Sequence, residues 1–363
     1  SLGLLFTDGF VLVGAGPLVS QLSTYATLPP EKSLVQEPLL AASLKRLPAE
    51  RDFYAFLPGG IGFLVPAGVT QAVTVTGSLG ERAVTLRVDM PWPDTQESLA
   101  ALAPREAPEL LGYLPEDSFL VARYRGDPSQ LGGLWPYLVG PHVTRAVQQA
   151  NFDMKAEVLD KLRPGTVAGV SLSPSVQLGG GLPDLDPRRT NPFRFVHLVA
   201  VAEARESADV SSTLEKVPPI ARRFGAEVEP QELDGQRIYF TSYRQGEGAH
   251  FAAVGDKVVL AAPQARLQAV LQRLQGKPEG SPVAQELRGA LQEPVLGVVL
   301  DLQRLSKAVK ELPSHAWGIG GFAIKATTVR WLEAMDDLRA VTLGLSQKEK
   351  AVQAELTLWV VPR

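Results

Sequence analysis

The chain has 363 residues, of which 45% are hydrophobic and 21% charged, enough apolar material for one large core or two medium ones. A formal net charge of -3 gives no basic footprint for a nucleic acid, and the absence of cysteine removes disulfides, thiolate metal sites and cysteine nucleophiles together. The longest apolar runs, Val295 to Leu300 and Leu198 to Ala202, fall far short of the roughly 20 residues a membrane helix needs, so no transmembrane span is expected.

Residues 1 to 22 look superficially like a secretory leader, but they lack a basic start, contain Asp8 and duplicate an internal segment, so they read as folded structure. Gly9 to Leu22 (GFVLVGAGPLVSQL) and Gly255 to Leu274 (GDKVVLAAPQARLQAVLQRL) both read as a buried strand running into a helix that begins at a proline. The two share Gly9/Gly255, Val13/Val259, Ala15/Ala261 and Pro17/Pro263 without a gap. If both units bury equivalent strands, Val13 and Val259 face comparable cores. Pro38 to Leu57 matches Pro282 to Leu302 as a short helix followed by an apolar strand, and Ala72 to Trp92 pairs with Ala340 to Val360 as a β-hairpin. Shared hairpin positions include Ala72/Ala340, Thr74/Thr342, Ser78/Ser346, Glu81/Glu349 and Val84/Val352. The chain therefore contains an internal repeat, which has to be found before elements are assigned.

Between the copies, Thr95 to Glu109 is short, polar and rich in alanine and proline, as a linker or covering helix would be. A strand follows near Leu114 to Tyr124, then helical stretches over Pro128 to Tyr137, Val143 to Asn151 and Met154 to Leu162. Thr166 to Leu172 reads as a strand and Ser173 to Pro192 as a long surface loop. Phe193 to Ala204 alternates as a strand, and Ser207 to Phe224 reads as a helix kinked or broken at Pro218-Pro219. Arg237 to Tyr243 and Ala249 to Val254 make a hairpin that feeds the second copy.

These elements predict an α+β fold of mainly antiparallel twisted sheets with helices packed on one face, built from the repeat. The expected organisation is a first repeat unit at 1–93, a linker at 94–110, and a second, more complete unit at 111–363, within which 247–363 is equivalent to 1–93. The second copy carries an insertion at 314–336. The 135 or so residues from Leu111 to Gly246 have no counterpart ahead of Gly9, so 1–93 reads as the C-terminal part of a unit whose N-terminal part lies upstream in a longer parent.

The chemistry-bearing candidates are few. Val11-Leu-Val-Gly14-Ala-Gly16-Pro17 resembles the opening of a flavin or nicotinamide dinucleotide-binding fold, in which glycines let a pyrophosphate approach a helix N-terminus. The third glycine position holds Val19, no acidic residue ends a second strand, and the repeat copy has Leu260-Ala-Ala262, so a structural strand-to-helix join is the simpler reading. His142, His197, His250 and His315 show no one-turn spacing for zinc. Gly169-Val-Ser171-Leu-Ser173 lacks the second glycine of a nucleophile elbow. Asp184, Asp186 and the pair Asp336-Asp337 could hold calcium or do acid-base work, but read as solvated acids. No catalytic, cofactor or metal residue is assigned. Trp317, Phe322 and Trp331 in the insertion, with Phe63 in the glycine-rich Gly59 to Val65, could line an apolar groove for a lipid or a partner, or fold over the core.

Leu114-Pro-Glu-Asp-Ser-Phe-Leu-Val followed by Gly126-Asp-Pro, and Val254-Gly-Asp-Lys-Val-Val-Leu-Ala with its helix, resemble uncharacterised bacterial exported proteins, often lipid-anchored, that carry a repeated domain of unknown function. The resemblance covers most of 111–363 and, through the repeat, 4–93. It implies an extracytoplasmic location, periplasmic or associated with the outer envelope, and a protein or lipid partner of the cell envelope. The expected function is a non-catalytic scaffold or interaction module, with two alternatives: a carrier of an apolar ligand or lipid, and a dinucleotide-binding enzyme.

Overall fold

The computed structural model describes residues 2–7, 10–15, 19–20, 22–27, 29, 38–58, 72–91, 97–133, 144–145, 147–149, 151–174, 176, 191–223, 226–233, 235–243, 246–276, 280–317 and 321–361. Two strands, β1 (Leu2–Thr7) and β2 (Phe10–Ala15), form an antiparallel ribbon, followed by α1 (Leu22–Ala26) and α2 (Pro38–Arg46). Then come β3 (Phe53–Pro58), β4 (Ala72–Leu79), β5 (Ala83–Pro91), β6 (Leu120–Tyr124), α3 (Met154–Glu157), β7 (Thr166–Leu172) and β8 (Val196–Glu203). Next are α4 (Ser207–Arg223), β9 (Ala226–Leu233), β10 (Gln236–Tyr243), β11 (Gly246–Glu247), β12 (His250–Val254), β13 (Lys257–Ala262) and α5 (Gln264–Gln275). The chain ends with α6 (Gly289–Gln292), β14 (Leu296–Asp301), α7 (Leu302–Lys310), α8 (Gly321–Ala334), β15 (Leu338–Lys348) and β16 (Ala351–Val360).

β3 to β16 form one 14-stranded sheet in the order β11-β10-β12-β13-β8-β7-β6-β14-β15-β16-β5-β4-β3, with β9 on the outer side of β10. Every strand pair in it is antiparallel. The α+β class and the antiparallel sheet agree with the alternation seen in the sequence. β9 is a strand the sequence pattern does not announce, because Glu227, Glu229, Glu232 and Pro230 mask the apolar Val228.

Two registers place the strands around the candidate site. β3 pairs with β4 from Phe53↔Gly77 to Pro58↔Ala72, and β14 pairs with β15 from Leu296↔Leu345 to Asp301↔Ala340. Within the hairpins Thr74 faces Asp89 and Thr342 faces Thr357. The hairpins then join, β5 running antiparallel to β16 with Arg87 opposite Glu355. The sheet is thus continuous across the two segments that the sequence divides into separate units.

Helices lie on both faces, which corrects the expectation of a single covered face. Alternate residues of a strand point to opposite sides. Val259 and Ala261 of β13 join Leu267, Val270 and Leu271 of α5 in the main core, with Val121, Val167, Val199, Ile238 and Val299. The intervening Val258 and Leu260 pack with Val210 and Leu214 of α4, over Tyr239 and Phe251, whose rings stack 5.1 Å apart. Because β8, β12 and β13 are apolar at consecutive positions, each side of that half-sheet needs its own helix. Pro218 and Pro219 lie within the continuous span of α4, where the sequence suggested a kink or break.

The short α6 sits directly on β14 because position 297 is glycine: a Cβ there would lie 2.2 Å from the Ala290 carbonyl oxygen. Residues 97–102, read from the sequence as a linker or cover, form a 3-10 turn whose Ala101 carbonyl accepts the Tyr124 hydroxyl at 2.7 Å, and Ala101 itself is buried. Burial holds the Tyr124 phenol well above its ordinary pKa.

Val259 is fully buried in this core, whereas the side chain of Val13 is outside the described residues. Val259→Asp is expected to lose more than about 3 kcal/mol of stability through an unpaired buried carboxylate, read as a lowered urea midpoint.

Candidate functional site

The central strands β4, β5, β16 and β15 are amphipathic, and their two faces are dressed in an unusual way. On one face stand Thr74, Thr76, Thr85, Arg87, Asp89, Gln353, Glu355, Thr357, Ser346 and Thr342. On the other stand Val73, Val75, Val84, Leu86, Val88, Met90, Val352, Ala354, Leu356, Leu358, Val341, Leu343 and Leu345. The polar face is the covered one: Thr74, Thr76, Thr85, Asp89, Thr342 and Thr357 are all buried. On the apolar face Val73 and Val352 are buried and the others named are partly exposed, Leu356 reaching 42%.

The polar face forms the floor of a groove of about 720 Å³ between α2 and the segment carrying α6. At its centre Arg87 and Glu355 pair across the strand junction at 2.6 Å, both side chains partly open to solvent. Beside them the Asp89 carboxylate, with no exposed surface, is gripped by Arg46 of α2 through Nη2 at 2.6 Å and Nε at 3.1 Å, and Gln353 donates to it at 3.0 Å. The hydrogen bond to Asp89 raises the Arg46 guanidinium above its ordinary pKa. Lys348 donates to the Arg46 carbonyl at 2.9 Å, placing a cation at the C-terminal end of α2. On the far side of the central pair, the Thr85 and Thr357 hydroxyls meet at 3.1 Å. Glu286, Glu293, Lys45 and Lys348 complete a rim of mixed sign. Such a groove can hold polar groups of either charge; the buried acid beside its centre, Asp89, is already committed to Arg46.

The apolar face carries less cover among the described residues. The 97–102 turn lies against β15 and Tyr124, and α7 lies against β15 and β7, where Leu172 and Val309 flank a small cluster of Val176, Leu312, Ala316 and Trp317. At the outer edge Phe53 lies across Gly77, where a Cβ would come within 2.1 Å of the ring, and Phe53, Leu57 and Leu79 are exposed at 46%, 43% and 64%.

The four residues proposed for an apolar groove do not share one environment. Trp317 is buried in that small cluster, while Trp331 on α8 is 70% exposed. The side chain of Phe322 and all of Phe63 are outside the described residues. Of the dinucleotide-like motif, Gly14 lies in β2 opposite Gly3 of β1, in an antiparallel ribbon; Gly16 and Pro17 are outside the described residues, as are His142, Asp184 and Asp186. The parallel strand pair on which a dinucleotide unit is built does not occur among the described residues. His250 is buried, with its Nδ1 accepting the Thr241 backbone N–H at 3.4 Å, and Asp336 pairs with Lys310 at 3.1 Å. The side chain of His315 is outside the described residues, and no group of metal-ligating side chains occurs among those described.

One polar cluster has no counterpart in the sequence pattern. Arg266 of α5 donates to Asp117, to the Ser171 hydroxyl at 3.1 Å and to His197 Nδ1 at 3.2 Å. Serine, histidine and aspartate converge here, but around a guanidinium that takes up their acceptor atoms, so the arrangement ties α5 to β7 and β8. A lone arginine in a helix gives no signal of this.

No family model matches the chain, and no curated protein matches it. Solved structures of TP0453 are similar in part: crystal form III, at 7% identity and TM-score 0.36, covers 69% of this chain and 80% of its own. Crystal form IV, at 8% identity and TM-score 0.35, covers 68% and 79%, and crystal form I, at 8% and 0.33, covers 69% and 78%. No helix of the described residues is long and apolar enough to cross a membrane.

The two ion pairs in the groove should respond differently. Asp89→Ala strands the Arg46 cation in a largely buried site and is expected to cost about 3–5 kcal/mol, whereas Arg87→Ala, at a solvent-open pair, should cost under about 1 kcal/mol. Paired urea unfolding curves check this.

Proposed function

We propose that the chain is a non-catalytic extracytoplasmic protein of the envelope or secreted fraction, a scaffold or interaction module that binds through the apolar face of its central sheet. The observation that carries this reading is the inverted dressing of β4, β5, β16 and β15, with threonines buried and a broad field of Val, Leu and Met left partly exposed. A broad, partly exposed apolar surface is costly for a folded chain and is usually a binding surface. The location rests on the resemblance to exported bacterial proteins.

The same reading holds that the molecule is built from a repeated unit, 1–93 and 247–363. Its support is geometric. With Ala72 equivalent to Ala340, the β4–β5 and β15–β16 hairpins share one register, Thr74↔Asp89 answering Thr342↔Thr357. The β3–β4 and β14–β15 pairings agree likewise, which makes Phe53 the counterpart of Leu296 and Pro58 that of Asp301. Under this equivalence Arg87 corresponds to Glu355, the residue it faces, so a pseudo-two-fold axis passes between them and relates α2 to the segment carrying α6. The polar groove lies on that axis.

A second reading, a carrier of an apolar ligand or lipid, draws on the same apolar face. Photo-crosslinking separates the first reading from random adhesion: a photoreactive residue at Leu356, on the apolar face, should yield discrete envelope-protein adducts, and one at Glu355, on the opposite face, should not. Leu356→Glu should abolish those adducts while changing stability by under about 1 kcal/mol, because the site is already exposed. Retention of lipid-mass species in native mass spectrometry, lost in Leu356→Glu, would instead favour the carrier; equal adducts at both positions would defeat both readings.

A further inference from the structure

The repeat reading, on which this inference rests, gives β3 and β14 equivalent places, yet their outer edges differ. β14 is paired on one side by β15 and on the other by β6, from Leu296↔Tyr124 to Leu300↔Leu120. β3 is paired with β4 and is the last strand of the sheet, with no second partner among the described residues. In the second unit three strands, β8, β7 and β6, stand between β13 and β14. Between the corresponding β2 and β3 the described residues have none, and β1–β2 form a sheet of their own. The residues of β3 fit a strand made to be paired: Phe53, Tyr54 and Leu57 are exposed at 46%, 44% and 43%, an expensive display for an edge that stays in water.

We propose that the open edge of β3 is a docking site for one antiparallel strand of the β6 type, a short run with apolar residues at alternate positions, in the register that β6 takes on β14. Main-chain hydrogen bonds along the edge would supply the attraction, and the alternating apolar side chains would extend the exposed apolar face by one more strand. Transferring the β14–β6 pairing fixes every contact: Leu120 would stand opposite Leu57, Ala122 opposite Ala55, and Tyr124 opposite Phe53. Arg123, facing the other side in β6, is buried there against Glu109 and the Pro108 carbonyl, so a docking strand does not need its charge at that position. A second copy of this chain pairing β3 to β3 is the competing occupant.

The chain has no cysteine, so single cysteines report register without interference. The full chain carrying Ala55→Cys is mixed with synthetic peptides of sequence Asp117 to Gly126 bearing Leu120→Cys, Ala122→Cys or Tyr124→Cys. Disulfide capture is followed by mass spectrometry. The Ala122→Cys peptide should be captured at least about tenfold faster than the other two, since directly opposed residues lie within bridging distance and their neighbours two positions away do not. Chains carrying Leu57→Cys and Phe53→Cys should prefer the Leu120→Cys and Tyr124→Cys peptides respectively. Capture in a different single register would overturn the inference through its premise, the equivalence of β3 and β14. Absence of capture in any register, or disulfide-linked dimers of the Ala55→Cys chain in place of peptide adducts, would overturn the docking of a β6-type strand and leave that equivalence standing.

Discussion

The half of the sheet that runs from β15 to β3 depends on the pairing of β5 with β16. It joins residues far apart in the chain through nine consecutive cross-strand partners, from Ala351↔Pro91 to Trp359↔Ala83. The polar groove, the burial of Asp89 and the continuity of the apolar face are all consequences of that seam. Its centre, Arg87 facing Glu355, is a partly solvated ion pair whose contribution to stability is small. The cohesion comes instead from the ladder on either side and from Arg46, which reaches down from α2 to neutralise Asp89. A carboxylate with no exposed surface is tolerated only because guanidinium and amide donors surround it.

The polar side of the seam being the covered one inverts the ordinary arrangement of an antiparallel sheet with one solvated face. Threonine suits this role: its branched carbon fits the pleat, and its hydroxyl can be satisfied across the strands, as between Thr85 and Thr357 or from the Trp359 indole to Thr342. The cover from α2 and α6 is short and leaves a groove, and the apolar residues are displaced to the opposite side. A sheet dressed in this way shows apolar surface in the middle of its span as well as at its edge.

Much of the architecture is legible in the sequence. Alternation in Val84, Leu86, Val88 and Met90 announces a strand with one apolar face, and the hairpin expected from Arg237 to Val254 appears as the antiparallel pairing of β10 with β12. What alternation cannot say is which face turns outward. Apolar residues usually point to a core, yet the tertiary placement of α2 and α6 leaves Leu86 and Leu356 on the less covered side. The second helical layer is hidden for a related reason: consecutive apolar residues in β13 signal burial on both sides, but not what covers each. The groove itself is invisible in the sequence, since Arg46, Asp89 and Gln353 come from three distant segments and none forms a motif. Trp317 and Trp331, close in sequence and alike in chemistry, end in opposite surroundings.

The β5–β16 seam also bears on how the chain acquires its shape. Arg87 and Glu355 are separated by 268 positions, so this ladder closes a loop that spans most of the polypeptide. Pairings of such long range are slow to form and come after local hairpins, because the loss of chain freedom precedes the gain from contacts. During synthesis β5 emerges 268 positions ahead of the residue that faces its Arg87, and that edge stays unpaired in the interval. That interval leaves the flank of β5 that β16 later covers as a long-lived unprotected strand edge in the growing protein, and a place where a chaperone, or a neighbouring nascent chain, would meet it.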